Sequence, residues 1–195
     1  MEAPTSQRVF VAVNFNDNVK DELLACQDNM AEVFGKSGFP DNVFWVPRDN
    51  LHLTLLFLDE QSQESVEQIC RSMDKISSQY DRVRWSANRP NVWSSRKVLA
   101  EVNVSSNFQQ LQRDLTTSLL SCGIRFRHQR HWRPHISLGN ISTGRSFPQR
   151  ILQMIKDNSL SLTSTVETID LLSSDLLAQP VIYRVLHRSL LRATE

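Results

Sequence analysis

Long apolar runs are missing from this 195-residue sequence. None approaches the roughly 20 residues that a membrane-spanning helix needs, so no membrane role is expected. Cysteine is scarce: Cys26, Cys70 and Cys122 are scattered, odd in number and form no C-x-x-C pair. Each falls within an apolar pattern, which predicts reduced, buried thiols and argues against a disulfide framework. The opening residues, MEAPTSQRVF, have no basic-then-apolar signal pattern. The expectation is a soluble, monomeric protein of the cytoplasm, with nuclear residence also open. Net charge is nearly absent too, because 22 Lys and Arg stand against 21 Asp and Glu and leave +1. Global attraction to nucleic acid is thereby excluded, and any binding of it must come from a local patch. With five glycines there is no Gly- or Ser-rich linker, no low-complexity tract and no P-loop.

What is present is a repeated order of elements. RVFVAVNF, residues 8–15, predicts a buried strand, followed by a helix that Asp17 can cap. Val19, Leu23, Leu24, Cys26, Met30, Val33 and Phe34 recur close to helical spacing, and Gly35 and Gly38 supply stop signals. NVFWVPRDN is a strand and turn, and LHLTLLFL resumes as a strand. A second helix begins near Ser62 with Val66, Ile69, Cys70, Met73 and Ile76 on one side. RVRWSANRPNVW alternates as a strand until Pro90 interrupts it.

The second half repeats the pattern. KVLAEVNV, residues 97–104, is a strand, and Ser105 or Ser106 caps a helix carrying Phe108, Leu111, Leu115, Leu119 and Leu120 on one stripe that ends at Gly123. HISLGNI is the next strand, with a short helix beyond it suggested by Ile151, Leu152 and Ile155. TSTVETIDLLSS and PVIYRVLHRSLL close the chain as two strands joined near Ala178-Gln179-Pro180. The length and this order predict a single domain, 1–195, of two lobes around 8–92 and 97–191, each a sheet backed by helices, with strand exchange between lobes compatible with it.

Within that repeat, NLHLTLLF (50–57) and PHISLGN (134–140) carry the same His-apolar-hydroxyl-Leu tetrad. On a strand, His52 and Thr54 share one face while Leu53 and Leu55 share the other; His135 and Ser137 divide from Ile136 and Leu138 in the same way. One such tetrad is ordinary for a core strand. Two at equivalent places in two similar halves point to a symmetric site offering two imidazoles and two hydroxyls. Phosphoryl transfer suits it: histidine, with a pKa of about 6.5, can serve as base and as acid near neutrality, and the hydroxyls can meet charge on nonbridging oxygens.

These residues resemble the 2H phosphoesterases, and within them the LigT-like RNA 2′,3′-cyclic phosphodiesterases, also called 2′-5′ RNA ligase-like proteins. The resemblance rests on RVFVAVNF, WVPRDNLHLTLLFLDE, RPHISLGN and LLSSDLLAQPVIYRVLHRSLL, in order, over nearly the whole chain. It implies an α+β, bilobal fold with pseudo-two-fold symmetry, two antiparallel sheets backed by helices around a central cleft. It further implies metal-independent hydrolysis of 2′,3′-cyclic phosphate ends of RNA or nucleotides to 2′-phosphates. His52 would be the proton donor and His135 the proton acceptor, with Thr54 and Ser137 binding phosphoryl oxygens. In this chain Ser137 stands where Thr is usual, and Asn140 where many relatives carry a basic residue; Arg145 or Arg133 is the candidate to replace that charge.

RFRHQRHWRPH, residues 125–135, concentrates arginines and aromatics before the second tetrad. Arg130 and Arg133 suit phosphates, and Trp132 or Phe126 suits a base, so the segment is a candidate grip on RNA 3′ ends; the alternative is a solvated loop with Trp132 packed inward. Trp45 and Trp93 read as packing residues, and His187 as structural. His128, His131 and His135 are too loosely spaced for zinc, with no cysteine or carboxylate near, so neither metal nor cofactor is expected. Two rival functions stay open: a 2′-5′ oligoadenylate phosphodiesterase using the same histidines, and an RNA-end-binding module with weakened catalysis. ATP-dependent ligation lacks both a P-loop and a lysine nucleophile motif.

Overall fold

The computed structural model describes residues 6–38, 43–94, 96–127, 131–142, 148–158 and 160–193. The first half contains β1 (Ser6–Asn14), α1 (Asp17–Lys36), β2 (Val43–Trp45), a 3-10 turn at Arg48–Asn50, β3 (His52–Ser62), α2 (Gln63–Ser77) and β4 (Val83–Trp93). The second contains β5 (Lys97–Val104), α3 (Ser106–Ser121), β6 (His135–Ile141), α4 (Gln149–Lys156), β7 (Leu162–Val166), β8 (Thr168–Asp175) and β9 (Ile182–Leu190). The three long helices begin alike. The side-chain oxygens of Asn16, Ser62 and Ser105 accept the backbone N–H of Val19, Ser65 and Phe108, satisfying donors that the first turn leaves unpaired. Asn16 therefore caps α1 in place of Asp17, which lies in the first turn, where its charge suits the helix dipole.

The strands run β7-β4-β5-β6-β3-β1-β8-β9, with β2 added against β6. The fold is α+β and antiparallel, as expected, and its strands form one sheet whose two halves are joined where Leu53 of β3 pairs Ile136 of β6. β4 lies with β5, β6 and β7, while β8 and β9 lie with β1 and β3. The sheet is curled: β7 and β8 are almost consecutive in the chain yet stand near opposite ends of the strand order. Its ends are tied by the Asp81–Arg192 bridge and by the Leu191 N–H donating to the Glu167 carbonyl at 2.9 Å.

Two expectations about strands are corrected. Pro90 does not end β4, which continues to Trp93 with irregular pairing between Ala87 and Pro90. β7 pairs β4 only as far as Ala87, and Pro90 stands at the end of the irregular stretch against β5, the kind of place where a strand tolerates a residue without an N–H. The segment 163–174, read as one strand, is two: β7 joins β4 and β8 joins β1, with the break at Glu167. Alternation alone cannot reveal a strand that crosses from one end of a curled sheet to the other at one residue.

Leu53, Leu55, Ile136 and Leu138 are all 2% exposed or less and face the core under the helices. Burying each contributes about 1.5–3 kcal/mol, which holds their strands' other faces toward the cleft. The buried amide of Gln27 on α1 donates to the carbonyls of Val46 and Leu138, locking the approach to β3 against β6. Cys26 is buried, and burial pushes its thiol up to about 11. Cys70 is half-buried and Cys122 exposed, which corrects the expectation of three buried thiols. Cys122 occupies the C-cap of α3, where its side chain leaves the apolar stripe that the sequence pattern suggested. His187, read as structural, faces Asp74 of α2 at 2.7 Å.

Candidate active site

The register through Leu53 and Ile136 brings the two tetrads together. Continuing the antiparallel pairing one residue either way sets Thr54 across from His135 and Ser137 across from His52. All four side chains line one cleft of about 440 Å³, within the range of small-molecule sites.

Each imidazole is oriented in the same manner. Nδ1 of His52 lies 2.7 Å from the carbonyl of Asn50, and Nδ1 of His135 lies 2.8 Å from that of Arg133. A carbonyl only accepts, so both Nδ1 atoms carry a proton and both Nε2 atoms are left for chemistry. Nε2 of His52 meets Thr54 Oγ1 at 2.9 Å. Among the described residues, Nε2 of His135 has no protein partner.

The rings are also braced. His52 packs against Phe10 and Tyr183, with centroids at 5.1 and 5.4 Å. Asn50, whose carbonyl holds His52, donates its own amide to the Val181 carbonyl at 2.7 Å. Asn14, the cross-strand partner of His52, donates to the fully buried Asp170, which Arg188 grips with Nε and Nη2. His135 packs against Trp93 at 5.1 Å, and the Trp93 indole N–H donates to Glu101 Oε1 at 3.0 Å. Burial lowers the pKa of His52; the Asn50 carbonyl opposes this, and the nearby His135 adds to it.

The cleft is asymmetric. In the β1–β3 ladder, Asn14 pairs His52, Ala12 pairs Thr54 and, past an irregularity, Phe10 pairs Phe57. In the β5–β6 ladder the corresponding pairs are Glu101 with His135, Leu99 with Ser137 and, past an irregularity, Lys97 with Asn140. One wall is therefore aromatic and the other polar and cationic. Arg8 also lines the cleft. Neither Arg8 nor Lys97 stood out in the sequence, although each opens the first strand of its half, in RVFVAVN and KVLAEVN. That shared placement was the signal available.

The remaining candidates are dispersed. Arg133 contributes its carbonyl to His135, and its exposed side chain lines a smaller cavity alongside. Trp132 packs edge-on against Phe108 and donates its indole N–H to the Thr54 carbonyl at 3.0 Å, bracing β3 from behind, and Phe126 is packed on the core. Trp45 packs against Phe34, as a packing residue should. Arg130, Arg145 and His128 lie outside the described residues. Among the described residues no cluster of His, Cys, Asp or Glu is placed to hold a metal ion, and no helix is long and apolar enough to cross a membrane.

A curled antiparallel sheet backed by helices, with two histidine-bearing strands meeting at a central cleft, defines a two-histidine α+β protein of pseudo-two-fold design. The 2′-5′ RNA ligase superfamily matches residues 36–176, which include both tetrads, and the chain belongs to that family. It is 26% identical over 185 residues to an RNA 2′,3′-cyclic phosphodiesterase of Thermotoga maritima, covering 92% of this chain and 93% of that protein. The fold matches TT0787 of Thermus thermophilus with a TM-score of 0.79 at 22% identity, over 96% of this chain and 100% of the other. It matches E. coli LigT complexed with 3′-AMP with a TM-score of 0.69 at 21% identity, over 96% and 98%.

Proposed function

We propose that this protein hydrolyses the 2′,3′-cyclic phosphate of an RNA end or nucleotide to a 2′-phosphate, without a metal. The observation that carries the proposal is the pair of Nε2 atoms presented to one cleft, each ring fixed by a backbone carbonyl at Nδ1. The names of the curated relatives favour the same reaction.

In this reading His135 Nε2 takes a proton from water as its oxygen attacks phosphorus. The bond from phosphorus to the 3′ oxygen breaks, and His52 Nε2–H delivers a proton to that oxygen. Thr54 and Ser137 donate to the nonbridging oxygens, and Lys97 and Arg8 supply the positive charge that Asn140 does not. The Phe10–Phe57 wall suits a base. Burial disfavours the protonated form of His52, and an anionic phosphate between the rings favours it, so substrate binding works against that cost.

The test is incubation with an oligonucleotide ending in a 2′,3′-cyclic phosphate and location of the product phosphate by ³¹P NMR. A 2′-phosphate is expected, in the presence or absence of a chelator, with loss of at least about a hundredfold in His52→Ala and in His135→Ala. A 3′-phosphate, turnover confined to 2′-5′ oligoadenylates, or full activity in either variant refutes the reading.

A further inference from the structure

The histidine cleft has a smaller neighbour, a cavity of about 70 Å³ that shares Thr54, Phe57 and His135 with it and adds Arg127, Trp132 and Arg133. We propose that this side cavity is a subsite for the phosphodiester preceding the terminal nucleotide, so that the protein prefers oligonucleotide ends to free cyclic nucleotides. The proposal rests on the reading of the main cleft given above and assigns the polymer specificity that reading leaves open.

Position is the first argument. Thr54 and His135 border both cavities, so the side cavity starts where the reacting phosphate is held, and Phe57 forms the divide. Phe57 is 53% exposed, an aromatic face open to a base on the route from one cavity to the other.

Charge and size are the second. Arg127 and Arg133 are exposed and, among the described residues, neither forms an ion pair. Guanidinium forks match phosphate oxygens in a planar, two-pronged fashion. The cavity has room for a phosphate, and its two arginines give it the charge to hold the chain's backbone. A free cyclic nucleotide has only one phosphate and cannot fill both places.

The frame around the cavity is held on both sides. Asp59 Oδ2 accepts the backbone N–H of Arg127 at 3.2 Å, and Gln61 donates to the Arg125 carbonyl at 2.9 Å, fixing the segment to β3. On the far side Trp132 is bonded to the Thr54 carbonyl, and Val102 N–H donates to the Pro134 carbonyl at 3.1 Å. The arginines are thus carried on backbone anchored to the strands that bear the histidines, so the two phosphate sites keep a set spacing.

The experiment compares kcat/KM for cytidine 2′,3′-cyclic phosphate and for an octanucleotide with the same terminus, in the native protein, in R127Q/R133Q and in R71Q/K75Q. Arg71 and Lys75 lie on α2 and line neither cavity, so the last variant controls for lost charge alone. The ratio of octanucleotide to mononucleotide kcat/KM is expected to fall about tenfold or more in R127Q/R133Q, and the salt dependence of the octanucleotide to become shallower by about 0.7 for each phosphate no longer neutralised. An unchanged ratio, or an equal fall in R71Q/K75Q, overturns the proposal.

Affinities for a 3′-phosphorylated octanucleotide and for cytidine 3′-monophosphate, measured by calorimetry, separate this proposal from the reaction itself. If the native protein turns over neither cyclic substrate, the reaction is wrong. The subsite then stands if R127Q/R133Q still loses affinity for the octanucleotide selectively, and falls if it does not.

Discussion

Replacing Thr54 by valine removes one hydroxyl and little else. Valine has the same branched shape and favours strands, so β3 and the packing of Leu53 and Leu55 behind it are kept. Two effects follow from the 2.9 Å contact between Thr54 Oγ1 and His52 Nε2. In the resting protein one hydrogen bond is lost, worth about 1 kcal/mol, and Nε2 still faces the open cleft where water can replace the hydroxyl. Unfolding should shift by no more than about 4 °C. During reaction the hydroxyl is needed on a phosphoryl oxygen whose charge rises toward the transition state, and losing such a donor costs about 3 kcal/mol. The expected result is a fall of about a hundredfold in kcat with KM changed by less than about threefold. Thr54→Ser, which keeps the donor and gives up the methyl that restrains it, should remain within about tenfold of the native rate. Steady-state kinetics with cytidine 2′,3′-cyclic phosphate, beside thermal unfolding of each variant, is the assay. A T54V loss under about fivefold, or one confined to KM, would show that the hydroxyl does not act on the developing charge.

Three further outcomes are expected. Because His52 has a folded-state pKa below its unfolded value of about 6.5, the unfolded chain binds the extra proton between those two values. Its contribution to stability is therefore present above about pH 6.5, is lost as pH falls through the depressed value and then levels off; denaturant titrations of native and His52→Asn protein should diverge in that window, and parallel curves would contradict it. Gly139→Ala should destabilise by about 1–3 kcal/mol in urea, since the added Cβ would lie 2.6 Å from Val43 Cγ1 and 3.1 Å from Trp45 Cε3, where β2 pairs β6. A thiol reagent should modify Cys122 quickly in the folded protein and reach Cys26 only on unfolding, with Cys122→Ser abolishing the fast phase.

The elements that the sequence made legible are those governed by local rules. Alternation along 52–55 and 135–138 predicted which residues face the core, and Leu53, Leu55, Ile136 and Leu138 are there. Ser62 and the Ser105-Ser106 pair predicted two helix starts, and Ser62 and Ser105 are the caps, because capping is settled within four residues of chain. The repeated tetrad singled out His52, Thr54, His135 and Ser137 because a two-residue period determines what shares a face.

What the sequence by itself determined, then, is the set of elements, the inward face of each histidine strand and the pairing of an imidazole with a hydroxyl. Only the tertiary structure decided which strands are neighbours. It moved β4 beside β5, split 163–174 between the two halves of the sheet, set Lys97 and Asn140 opposite the Phe10–Phe57 wall and brought Arg127 to the side cavity that Arg133 lines. The physical reason is that periodicity and capping are properties of a few consecutive residues, whereas strand order and the burial of Asp170 or His52 arise from contacts between residues far apart in the chain, such as Leu53 with Ile136 and Asn14 with Asp170.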